Sequence, residues 1–149
     1  MLESLIVLHG DHEGEKVGRR IEALADRLQL RLAGKSIVIL SSDDELAKNV
    51  ARVLALSFGV SVSEHRELNS LEVGVMSKEQ WQTVLRLVRE KSVSAQVVIV
   101  ATHVDVVDQL PTLWGRGFRF RIPEKFNTPA GTARVVHAKT GWHEHIVPA

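Results

Sequence analysis

Three short apolar runs, each ending abruptly in polar residues, dominate the hydropathy pattern. Leu5-Ile6-Val7-Leu8 runs into His9-Gly10-Asp11, Ser36-Ile37-Val38-Ile39-Leu40 into Ser41-Ser42, and Val97-Val98-Ile99-Val100-Ala101 into Thr102-His103. Runs of about five apolar residues without alternation predict strands buried on both faces, as in a parallel sheet covered by helices. Helical spacing follows each run. Val17, Ile21, Leu24, Ala25, Leu28 and Leu32 predict a helix over 15–32, closed by Gly34. Ser42-Asp43-Asp44-Glu45 has the form of a capping box for a second helix. That helix is expected to bury Leu46, Val50, Val53, Leu54 and Leu56 and to end at Gly59. Ser77–Gln80 is a further cap-like start, with Trp81, Val84, Leu85 and Val88 as the next apolar stripe.

The remaining elements are shorter. Val60–Val62 is a strand candidate, 64–76 reads as a loop over the sheet edge, and 104–113 as a helix stopped near Pro111. Phe118–Ile122 alternates as a half-buried strand does, and Gly131–Ala138 and Gly141–Val147 predict two more. The sum is one three-layer α/β/α domain over 1–149 with a mostly parallel central sheet. Open sheets of this kind place ligands outside the carboxyl ends of their strands. If the three apolar strands are neighbours, His9, Ser41, Ser42 and His103 share one edge, with Gly10 allowing a sharp turn.

Composition narrows the class. The 149 residues are 44% hydrophobic and 25% charged, as in ordinary globular proteins, and no run approaches the roughly 20 residues that span a bilayer. With no cysteine and no basic-apolar leader, a cytoplasmic location is expected. The net charge of +1 divides unevenly, nine Lys/Arg against twelve Asp/Glu in 1–75 and ten against six in 76–149. That skew is too mild for nucleic-acid binding, and neither nucleic acid nor membrane is an expected partner.

The order and spacing of these segments resemble the histidine phosphatase superfamily (the phosphoglycerate mutase-like fold), most closely its short bacterial phosphohistidine phosphatases. Leu5–Gly10 with Asp11 resembles the opening strand ending in R-H-G-[DE]; Gly18-Arg19 with Leu24, Ala25 and Leu28 resembles the first helix. Ser41-Ser42 with Ala47 and Ala51 resembles S-S-P-x-x-R-A-x-x-T-A, and Val97–His103 the strand delivering the second histidine. Phe126–Pro129 and Gly131–Val136 resemble the closing segment. The resemblance implies His9 as nucleophile and His103 as a phosphoryl ligand, with no cofactor.

It also implies two losses. Leu8 stands where the family has the arginine before its nucleophile, Leu46 where it has the second arginine, and Asp43 where it has proline. Glu67, Ser70 and Glu72 compete for the place of the acid. Losing an arginine that acts in phosphoryl transfer can cost about 10³–10⁵ in rate. Asp11, Glu13, Asp43, Asp44, Glu45 and Asp105 follow strand ends and would repel an anion, unless Arg66 or the basic segment 116–139 covers the mouth.

Two function classes therefore stand. One is a degenerate, catalytically weak or inactive relative that binds a small ligand, a phosphorylated protein or another protein partner at the relic pocket. The other is a divergent phosphohydrolase acting on phosphohistidine or a phosphomonoester through His9. Gly10, Asp11, Ser41, Ser42, Lys48 and Arg66 are its candidate binding residues. A metal set of His9, Asp11, His12 and His103 is a further alternative, because H-x-D-H resembles part of a metallo-hydrolase motif whose upstream histidine is here Val7. His143–His145 is expected to face solvent, as are Arg119 and Arg121.

Overall fold

The computed structural model describes residues 2–10, 15–69, 77–115, 122–123 and 126–148, with backbone only for 15–17. The strand predicted over 118–122 falls almost wholly outside them, as do Asp11, His12, Glu13, Ser70 and Glu72. In chain order the elements are β1 (Ser4–Leu8), α1 (Glu15–Arg31), β2 (Ile37–Ser41), α2 (Glu45–Phe58), β3 (Val62–Glu64), a 3-10 turn (Arg66–Leu68), α3 (Lys78–Ser92), β4 (Val97–Ala101), α4 (Val104–Trp114), β5 (Ala133–His137) and β6 (His143–Ile146).

The strands form one sheet in the order β3-β2-β4-β1-β5-β6. The ladders β2·β3, β2·β4 and β1·β4 are parallel, and β5 runs antiparallel to both β1 and β6. Five of the six strands thus point one way. The apolar runs bury both faces, as their lack of alternation requires. Ile6, Leu8, Ile39, Ile99 and Ala101 pack under α1 and α2, with Leu24, Leu28 and Leu54. Leu5, Val7, Leu40, Val98 and Val100 pack under α3 and α4, with Val84, Val88, Val107 and Leu110. The result is the expected three-layer α/β/α arrangement, and no helix among the described residues is long and apolar enough to cross a membrane.

Two local expectations fail for identifiable reasons, and a third, the helix over 104–113, is met to within one residue. Ser42 does not cap α2; Asp44 does, accepting from the Ala47 N–H at 3.1 Å. Ser42 is still paired in the sheet, its N–H donating to Ala101 O at 3.0 Å, so the chain is free to start a helix only two residues later. Leu56 is 86% exposed, because α2 presents a narrower stripe than its composition suggests, Ala47, Val50, Ala51 and Leu54. Helix α4 passes through Pro111 to Trp114. Pro111 forfeits one intrahelical bond, but its ring is buried and its carbonyl accepts from Gly115 at 2.9 Å, which closes the last turn.

Burial ranks the core. Leu54→Ala should cost about 2–5 kcal/mol, while Leu56→Ala, one turn edge away, should stay within about 0.5 kcal/mol of the parent. Urea unfolding of the two variants measures both; equal losses would contradict the described orientation of α2.

Candidate functional site

Register assembles the site before any side chain is considered. Leu8 and Ser41 both lie beside Ala101, so β1, β4 and β2 end level with one another. The pairing continues just past the strands: Thr102 N–H donates to Leu8 O at 3.2 Å and Gly131 N–H to His9 O at 3.1 Å. His9, Gly10, Ser42 and His103 therefore leave the sheet along a single carboxyl edge. Gly131 allows β5 to approach: its φ is +79°, and an added Cβ would lie 2.9 Å from Arg20 Cβ on α1.

His9 is only 3% exposed, and its Nε2 is hydrogen-bonded to the Thr128 carbonyl. A carbonyl only accepts, so Nε2 carries the proton and the lone pair of the neutral ring lies on Nδ1. Thr128 is itself fixed, its N–H donating to Asp108 Oδ1 at 2.9 Å, while Phe126 N–H donates to the Asp108 carbonyl at 2.8 Å. Asp108, 5% exposed on α4, thereby pins the segment that holds His9.

The β2 side of the edge is acidic and internally paired. His103 Nε2 lies 2.8 Å from Asp44 Oδ2, the same oxygen that accepts from Ser42 Oγ at 2.8 Å. Asp43 accepts from Asn69 Nδ2 at 2.5 Å and lies 3.4 Å from Arg66 Nε. The Arg66 side chain is 88% exposed, so it flanks the rim without covering the mouth. Lys48 sits between Glu45 and Glu64, 3.8 Å from each. Ser41 is buried and its hydroxyl donates to Ser42 O at 2.7 Å, a purely internal bond. Of the proposed metal set, Asp11 and His12 lie outside the described residues; among those described, no three metal-ligating side chains cluster.

The β5–β6 side carries the opposite charge. Arg134, paired with Val7, places its guanidinium 4.7 Å above the Phe126 ring. Burial lowers its pKa, and the charge of Asp108 works against that shift. Phe126 also meets His143 edge-on at 5.0 Å, and His145 Nε2 lies 2.8 Å from Thr132 Oγ1. Burial, then the Arg134 charge, lowers the pKa of both histidines. Burial would raise Glu144, but hydrogen bonds from Arg31 and His137 hold it below the usual range. The segment 143–145 is thus engaged with the fold, and only His145 is largely exposed, where the sequence suggested a solvated strand.

Asp108, Thr128 and Arg134 were not singled out by sequence. Asp108 alone offered a signal, an acid set among the apolar Val106, Val107 and Leu110 of α4.

No protein-family model matches the chain, and no curated protein matches it in sequence. Its fold does match solved structures. A mycobacterial glucosyl-3-phosphoglycerate phosphatase superposes with a TM-score of 0.69 at 15% identity, over 97% of this chain and 98% of that one. The Agrobacterium tumefaciens protein designated SixA, a candidate phosphohistidine phosphatase, gives 0.65 at 15% identity over 99% and 100%. Phosphoglycerate mutase from Plasmodium falciparum gives 0.63 at 16% identity over 98% and 88%. The fold is the histidine phosphatase, phosphoglycerate mutase-like fold.

The depressed histidines set a pH dependence. A base whose folded-state pKa lies below its unfolded value stabilises fully above the unfolded value and loses that stability as pH falls. His143 and His145 should therefore weaken the fold on acidification below about pH 6.5, with Glu144 following below about pH 4.5. Chemical unfolding at pH 7.5 and 5.5 should show a smaller loss in His143→Gln/His145→Gln than in the parent; an identical loss would refute the assignment.

Proposed function

We propose that this chain uses the histidine phosphatase fold as a binding scaffold, with phosphoryl transfer weak or absent, and takes a small ligand or protein partner at the edge formed by His9 and His103. The observation that carries this reading is the state of His9. A histidine attacking phosphorus needs an open approach to its lone pair, here on Nδ1, yet the residue is only 3% exposed.

The cation supply supports the same reading. On the resemblance, Leu8 and Leu46 stand in place of two arginines. Leu8 is fully buried against the α1–α2 layer, where a guanidinium would have no acceptor, and Leu46 is partly buried on α2. Lys48 and Arg66 are held by carboxylates on the far side of β2. Charge developing on phosphoryl oxygens needs preorganised cations, and each charged hydrogen bond lost forfeits about 1.5–3 kcal/mol.

One observation favours the hydrolase as a second reading. The Thr128 carbonyl fixes the tautomer that leaves a lone pair on Nδ1, as a nucleophile requires, and Asp44 orients His103 on the same edge.

Turnover separates the two. Hydrolysis of aryl phosphates and of a phosphohistidine peptide should lie at background and be unchanged by His9→Ala. Robust turnover abolished by His9→Ala would establish the hydrolase instead. Restoring charge with Leu8→Arg should lower stability by about 2–5 kcal/mol, since it buries an unpaired guanidinium.

A further inference from the structure

The opposite edge of the sheet carries a cavity of its own. There β4, β1, β5 and β6 lie side by side, and backbone bonds carry their pairing past the strands. Glu3 N–H donates to Gln96 O at 2.7 Å, Ala138 N–H to Glu3 O at 2.8 Å and His137 N–H to Trp142 O at 2.8 Å. These ends border a cavity of about 630 Å³, a size that suits a small molecule. Strand β1 is five residues long, which sets the cavity about 17 Å from the edge that holds His9.

Its aromatic wall is both exposed and braced. The Trp142 ring stacks on His137, with centroids 5.1 Å apart and planes 20° from parallel. His137 Nε2 is held in turn 2.8 Å from Glu144 Oε2. Gly141, at φ +77°, closes the hairpin between the two rings, its N–H on His137 O at 2.8 Å. Trp142 is nonetheless 49% exposed, so the face turned from His137 is open. A rigid indole left half in water is a stacking platform for another planar group.

The polar groups around it are committed to donating. Gln96 Oε1 accepts from Ser36 N–H at 2.9 Å, which leaves the amide NH₂ for an acceptor. Thr140 Oγ1 accepts from Trp142 N–H at 3.1 Å and keeps its own hydrogen to give. Glu3, the acid among the described lining residues, is taken up by Lys35 at 3.1 Å, so Lys139 supplies the uncompensated charge. Leu2 adds an apolar wall.

We propose that this cavity binds a small aromatic carboxylate, its ring stacked on Trp142 and its carboxylate held by Lys139 with Gln96 as the neutral donor. A single ammonium balances a monoanion, and no guanidinium among the described lining residues offers the fork that a phosphate dianion favours. The site is separate from the His9 edge and does not depend on how that edge is read.

Naphthoate titrated into the full chain, followed by calorimetry and ¹H–¹⁵N NMR, tests this. It should bind and shift the Trp142 indole N–H signal while the His9 ring stays unmoved. Trp142→Ala should weaken binding about tenfold or more, and Trp142→Phe should recover part of the loss. Lys139→Gln should weaken it about threefold, an effect that shrinks as salt is raised. Uncharged naphthalenemethanol should bind more weakly than naphthoate by a similar factor. Equal affinity for the two probes, or equal affinity of Trp142→Ala and the parent, would overturn the proposal. So would a shift confined to Trp81, Trp114 or His9, or absence of binding at millimolar concentration. The Trp142 signal of the unsubstituted protein reports directly, so the test stands even if a variant fails to fold.

Discussion

The structure depends on three adjacent parallel strands, β2, β4 and β1, that are apolar on both faces. In a sheet with one wet face, alternation fixes the register, since a one-residue slip turns the apolar set outward. Here a slip would exchange one buried face for the other at little cost. The ends fix the register instead. Ser4 and His9 bracket β1, Ser42 follows β2, and Thr102 follows β4. Sliding any strand by one would draw a polar end into the layer under a helix, unpaired, at a cost of about 1–3 kcal/mol. The requirement that orders the core therefore also lines the polar residues along one carboxyl edge, the candidate site.

Much of this was legible in the sequence because it is local. Each five-residue apolar run declared a strand, and the polar residue after it declared the edge. What was hidden depends on distant partners. Thr128 meets His9 across 119 positions, and Asp108 meets Thr128 across 20. No periodicity encodes such contacts, and the Arg134 side chain is informative only once β5 is known to lie against β1. The errors in detail share that cause. Ser42 had the right residue type for a cap, but a ladder bond to Ala101 holds it in the sheet. Leu56 had the right spacing, but it lies off the stripe of Ala47, Val50, Ala51 and Leu54 that α2 buries.

The edge that results is electrically divided. Toward β2 and α2, carboxylates take up the nearby donors: Asp44 holds Ser42, His103 and the start of α2, and Asp43 holds Asn69 and Arg66. Toward β5, Arg134 lies over the Phe126 ring and His143 meets its edge, with His145 paired to Arg134 across the ladder and the buried Asp108 on the neighbouring Thr128. His9 stands between these halves, tied to the second through Thr128. The two halves of the edge thus differ in charge as well as in the elements that carry them.

The proposed reading, a retained fold with weak or absent phosphoryl transfer, has a counterpart in stability. A guanidinium beside β1 must be matched by acceptors on every side, and it stabilises nothing until a substrate arrives. A leucine in that place is buried completely, a gain of about 1.5–3 kcal/mol without any partner. Leu8 thus favours the folded chain in the absence of ligand, whereas the cost of partly burying the Arg134 charge is offset by Asp108 and by the Phe126 ring beneath it. On the proposed reading, the balance of stability favours a scaffold that binds over one that turns over.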